Sequence, residues 1–195
     1  MLVKVHMVTG DVCTFDLPID KPGEFLSKIR LADIFERPAH QFLGKVMTVS
    51  INPALIEWIE FDSMDMPAQK SGTKIVLREL SPASFKAGVE KEKQMIVAAM
   101  ESGVDQNVML GFGKATFKSG RTVHMEIRVQ MERGDDRIKQ SQKIFKMPAI
   151  FVYGEQSGVM LINTSNIAIW QVVPGLKKST FFAVSGELVS IQKAK

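Results

Sequence analysis

A short phrase written twice constrains this chain more than any other feature. Ile34-Phe35-Glu36-Arg37-Pro38-Ala39 returns as Ile144-Phe145-Lys146-Met147-Pro148-Ala149, 110 residues later. The same spacing pairs Lys4 with Lys114, Gly10 with Gly120 and Gly44 with Gly154. These identities are sparse, but they keep their order along the chain, so we read one small unit copied once. Past residue 45 the spacing drifts by two or three, so that Val46-Met47 meets Val159-Met160 and Trp58 meets Trp170. A chain of 195 residues has room for two such units, each with its own core.

Within the first unit, residues 2–9 alternate apolar and polar, Gly10-Asp11 follows, and residues 12–17 resume the alternation. That is the pattern of a hairpin, with glycine supplying positive φ at the turn. Phe25, Ile29, Ala32 and Phe35 fall at helical spacing, which predicts a helix over 24–36 stopped by Pro38. Strands are expected over 41–51, 54–61 and 73–80, with a turn-rich loop at 62–72. Ser81-Pro82 then opens a helix that reaches toward Gly103 and has no counterpart in the second copy. Gly111-Phe112-Gly113 reads as a flexible joint. The second copy supplies a hairpin from Lys114 and a helix over 134–145. Strands are expected at 149–154, 158–163 and 167–173 and, past a Pro174-Gly175 turn, at 181–191. The expected division is a first small β-barrel over 1–80, a connecting helix and linker over 81–112, and a second barrel over 113–195.

Charge separates the copies. Residues 113–195 carry 13 Lys/Arg against 6 Asp/Glu, a net +7, whereas residues 1–80 carry 9 against 11, a net −2. The asymmetry points to an anionic partner for the second copy alone. No apolar run reaches the ~18 to 20 residues that span a bilayer. The single Cys13 can form no internal disulfide and is expected as a small buried side chain, and the start of the chain does not read as a signal peptide. A cytoplasmic location is expected.

A unit of five short strands and one short helix suits a small, strongly bent barrel, which closes its own strand edges. Val8-Thr9-Gly10-Asp11, the 25–35 helix and the strand-turn-strand from Val46 to Phe61 resemble the Sm-like and SH3-like small-barrel group, including an uncharacterised bacterial class. Lys118-Ser119-Gly120-Arg121, residues 138–145 and residues 159–173 carry the likeness in the second copy. The resemblance implies a mainly β tandem of two small barrels. RNA-binding members carry a second glycine five residues after the first, where Phe15 and Met125 stand here. They also carry a basic residue followed by glycine near the end of the unit, which neither copy provides. Ile51 to Glu57 also looks like a short piece of the flagellar FlbD proteins.

No catalytic, cofactor or metal constellation is found. His6, His40 and His124 are far apart in sequence, and no phosphate loop or nucleophile elbow occurs. Asp135-Asp136 suits a helix start. The expected function is therefore non-enzymatic binding or scaffolding of a protein partner, with homo-oligomers accessible to such units. Nucleic-acid binding by the second copy is the alternative. Its candidate contacts are Lys118, Arg121, Arg137, Lys139, Lys143 and Lys146. A third reading is a small-ligand receptor or enzyme with a pocket between the barrels, which a deep cleft lined by His124 and carboxylates would favour. Trp58 and Trp170 are the candidate core or interface anchors.

Overall fold

In a computed structural model, residues 1–44, 46–63, 75–91, 108–130, 146–154 and 158–173 are described. The chain is mainly β. Its first hairpin joins β1 (Leu2–Met7) to β2 (Val12–Asp16) across a turn in which Gly10 takes φ 94°. Val3 and Val5 point into the core, while Lys4 between them faces out, as the alternation requires. The expected helix over 24–36 is shorter: α1 covers Pro22–Ser27, and turns carry the chain through Ile34 and Phe35. Those two adjacent residues are both buried, which favours turns over a continued one-faced helix.

The expected strand over 41–51 is a hairpin of β3 (His40–Leu43) and β4 (Thr48–Ile51). A single 3-10 turn at Pro53–Leu55, capped by the Asn52 side chain, leads into β5 (Ile56–Phe61). Then come β6 (Ile75–Leu80) and α2, helical over 82–91. The second half holds β7 (Val108–Phe117), β8 (Thr122–Gln130), β9 (Ala149–Tyr153) and β10 (Val159–Asn163). A second 3-10 turn at Thr164–Asn166, capped by Asn163, leads into β11 (Ile167–Val173). The expected helix over 134–145 and strand over 181–191 lie outside the described residues.

Gly111-Phe112-Gly113 is not a joint but part of β7. A Cβ on Gly113 would come within 2.9 Å of Ile127 and of the Trp170 ring, so the glycine makes room for the indole.

Among the described residues the strands do not close into two separate barrels. Nine form one open order, β11-β7-β8-β6-β9-β10-β5-β1-β2, and β3-β4 stands apart as a pair. Strand β6, placed in the first barrel by the sequence reading, pairs with β8 and β9 of the second half. The two halves meet where β5 pairs antiparallel with β10, Phe61 opposite Val159 and Trp58 opposite Ile162.

The halves nonetheless repeat each other closely. Phe117 N–H donates to Arg121 O and Gly120 N–H to Phe117 O, just as Met7 N–H donates to Asp11 O and Gly10 N–H to Met7 O. The β1–β5 ladder breaks register between His6 and Met7, leaving Glu57 without an opposite residue, and β7–β11 breaks at the same place, leaving Ala168. The β3–β4 register, His40 opposite Ile51, matches Ile150 opposite Ile162 in β9–β10. The spacing is thus 110 as far as β9 and 111 from β10 onward, because the second turn is one residue longer. This corrects the drift of two or three. In particular, Trp58 corresponds to Ile169, and Trp170 to Ile59.

Among the described residues two buried clusters form, and each takes residues from both halves. One, built around Ala115, Phe117, Met125 and Ile162, includes Trp58 and Leu77. The other, built around Val3, Val5, Leu26 and Ile56, includes Ala149, Val159 and Leu161. Among the described residues no helix is long and apolar enough to cross a membrane.

Candidate functional site

The most concentrated polar chemistry lies where the two halves join. The register break on β5 frees Glu57 from the ladder, and a bulge of this kind redirects a side chain. Glu57 is 0% exposed. Its carboxylate accepts from Ser119 N–H and Ser119 Oγ, each at 2.8 Å, and from Arg121 Nε at 3.1 Å and Nη2 at 2.7 Å. Arg121 also donates to Met7 O at 2.6 Å, and its guanidinium lies 4.4 Å from the Trp58 ring centroid. A buried carboxylate is tolerable only with such a full set of donors.

The knot continues outward. His6 stacks on Trp58 at 4.3 Å, with its Nδ1 3.2 Å from Arg121 Nη1. His6 Nε2 lies 2.9 Å from Glu60 Oε1, Trp58 Nε1 donates to the same oxygen at 3.1 Å, and Lys4 Nζ stands 3.6 Å from the other oxygen, Oε2. The His6 contact, helped by Trp58 and by the charges of His6 and Lys4, holds the Glu60 carboxyl down at about 2 against the opposing effect of burial. Nearby, Asn163 Nδ2 donates to Ile56 O at 3.0 Å, and Asn166 Nδ2 to Ala54 O and Ile56 O at 2.9 and 2.7 Å. These bonds tie the second 3-10 turn to the first.

A cleft of about 510 Å³ opens beside this knot, lined by Lys4, Glu60, Asp62, Glu79 and His124 among others. Burial lowers the His124 pKa, and Lys114 adds to the effect. The Phe85 ring of α2 packs 4.8 Å from His124.

Of the six candidate contacts for an anion, Lys118, Arg121 and Lys146 are described. Arg121 is spent on Glu57, and Lys118 Nζ donates to Asn166 Oδ1 at 2.8 Å. Lys146 is exposed, while Arg137, Lys139 and Lys143 lie outside the described residues. The tryptophans lie apart in role. Trp58 is a buried member of the second-half cluster, at the junction, and Trp170 is half-buried over Gly113. Cys13, expected to be buried, is half-buried. Among the described residues no group of three or more His, Cys, Asp or Glu gathers for a metal ion. Sequence reasoning missed Glu57, Asn163 and Asn166. The one signal was a lone carboxylate inside the apolar run Ile56-Glu57-Trp58-Ile59. Comparison with known protein families, curated proteins and solved structures returned no match.

Proposed function

We propose that the chain is a cytoplasmic binding or scaffolding protein, built from two copies of one small β unit of Sm-like or SH3-like kind and acting by holding a partner rather than by catalysis. One observation carries this reading. The tip of the β3–β4 hairpin presents Leu43, Val46 and Met47 at 82%, 95% and 67% exposure, on a pair of strands that stands outside the main sheet. Contiguous exposed apolar side chains of this kind mark interaction surfaces. The shared backbone geometry of the two hairpins supports the duplication. A photo-crosslinking residue at Val46, introduced in cells, is expected to capture one dominant protein, whereas the same residue at the exposed Asp20 captures none. No adduct at Val46 refutes the reading.

The cleft favours a second reading, a small-ligand site between the halves, because it brings His124 together with Glu60 and Glu79. A thermal-shift screen with metabolites tests it: a stabilisation lost in His124→Ala supports the site, and no stabilisation by any compound removes it. Nucleic-acid binding now rests on Lys146 and on Arg137, Lys139 and Lys143, and a low-salt filter titration without retention removes that reading.

A further inference from the structure

We infer that a second copy of this chain lays its β4 along the outer edge of β11, so that copies join head to tail through a repeat of the junction β5 and β10 make within the chain. The inference deepens the binding reading above by naming the partner. Inside the chain, the fourth strand of the second unit, β10, pairs with the fifth strand of the first, β5. Their counterparts under the repeat are β4 and β11. Among the described residues, β11 ends the nine-strand order with β7 as its neighbour, and β4 pairs with β3. Among the described residues each therefore presents an open edge, and open edges are templates for pairing with another chain.

The exposure of the four strands follows the same division. Every residue of β10 is buried, and all of β5 except Glu60. In β4 only Ile51 is buried, and in β11 only Ile167. The capping asparagines agree. Asn163 caps its turn with Oδ1 and sends Nδ2 across the junction to Ile56 O. Asn52 caps its own turn with Oδ1, but it is exposed, and its Nδ2 makes no bond among the described residues. The counterpart acceptor is Ile167 O of the neighbouring copy. The apolar hairpin tip lies at the end of β4, where the neighbour would cover it.

Shifting the internal register by 111 on both strands fixes the pairing: Thr48 opposite Val172, Ser50 opposite Trp170 and Ile51 opposite Ile169. The junction between copies must be weaker than the internal one. Val159 and Leu161, buried in the partner core, are replaced by Thr48 and Ser50, and the Glu57–Arg121 pair is replaced by Ala168 and Asp11. Association is therefore reversible and depends on concentration. Because the contact is heterologous, it leads either to closed rings or to open filaments.

The test uses the full chain in sedimentation velocity from low to high micromolar concentration. Wild type is expected to gain mass with concentration. Ala168→Glu sets a carboxylate against Asp11 of the neighbour and should shift the gain to higher concentration. Mixing Ala168→Glu with Asp11→Arg rebuilds the buried pair across the junction, and only there, and should tighten association about tenfold or more over either variant alone. Both positions are exposed, so both variants should fold, which circular dichroism checks. Wild type that stays monomeric together with a monomeric mixture overturns the inference. So does association that neither variant nor their mixture changes, since it would use another face. In either case, crosslinking at Val46 to a different protein would leave the binding reading standing.

Discussion

Arg121→Ala should be the most damaging single change at the junction. It removes two charge-assisted hydrogen bonds from the fully buried Glu57 carboxylate, one bond from Met7 O, and the guanidinium stacked on Trp58. The carboxylate keeps only the two donors of Ser119. Removing one partner of a buried pair costs about 3–5 kcal/mol. Because the Arg121 side chain is 26% exposed, water can partly replace it, and the lower end applies. Losing the stack over Trp58 adds ~0.5–1 kcal/mol, for a total of about 3–4 kcal/mol. Urea denaturation followed by tryptophan fluorescence measures this directly. Replacing both partners, Glu57→Leu with Arg121→Met, removes the buried charge as well and should cost within about 1 kcal/mol. Arg128→Ala is the control, because its pair with Glu126 is at the surface and is worth under ~1 kcal/mol. If Arg121→Ala costs no more than Arg128→Ala, the reasoning about the buried pair is wrong.

Glu60 titrates at about 2 in the folded chain, below an ordinary glutamate, so its contribution is present above the unfolded value of about 4.3 and is lost as pH falls toward 2. Urea titrations across that window should show a smaller acid loss in Glu60→Gln than in wild type. Burial lowers the His40 pKa, so its protonation opposes folding, and stability should fall as pH drops below about 6.5. His40→Gln should flatten that limb of the pH profile. Gly158→Ala should cost more than Gly10→Ala in the same assay. Both glycines have positive φ, a strain of about 1–2 kcal/mol for alanine, but only at Gly158 does the new Cβ also meet Phe61 O, at 2.7 Å. Equal costs would show that the close approach does not matter.

The hairpins were legible because their signals are local. Gly10 and Gly120 sit where the turn needs positive φ, and the flanking residues alternate. The spacing between the matching halves shifts at one place, the turn between β9 and β10. One added residue there shifts everything after it, and the two tryptophans offered a false match that the ladders do not keep. The helix after Pro22 was read too long because Ile29, Ala32 and Phe35 follow a helical period that Ile34, also buried, does not share. The placement of β6 between β8 and β9 could not be read, since pairing between distant strands leaves no trace in either strand alone. Glu57 was hidden for a similar reason: its partners, Ser119 and Arg121, stand more than 60 residues away in the other half.

The interleaved clusters also set an order of events during synthesis. The ribosome releases the N-terminal half first, yet the cluster around Val3 and Leu26 is finished only by Ala149, Val159 and Leu161. Until those residues emerge, the nascent first half must hold an uncovered apolar wall, with β5 lacking one of its two strand neighbours. The two halves therefore mature together only once β9 and β10 have emerged, and a chain truncated before residue 149 carries that wall into solution.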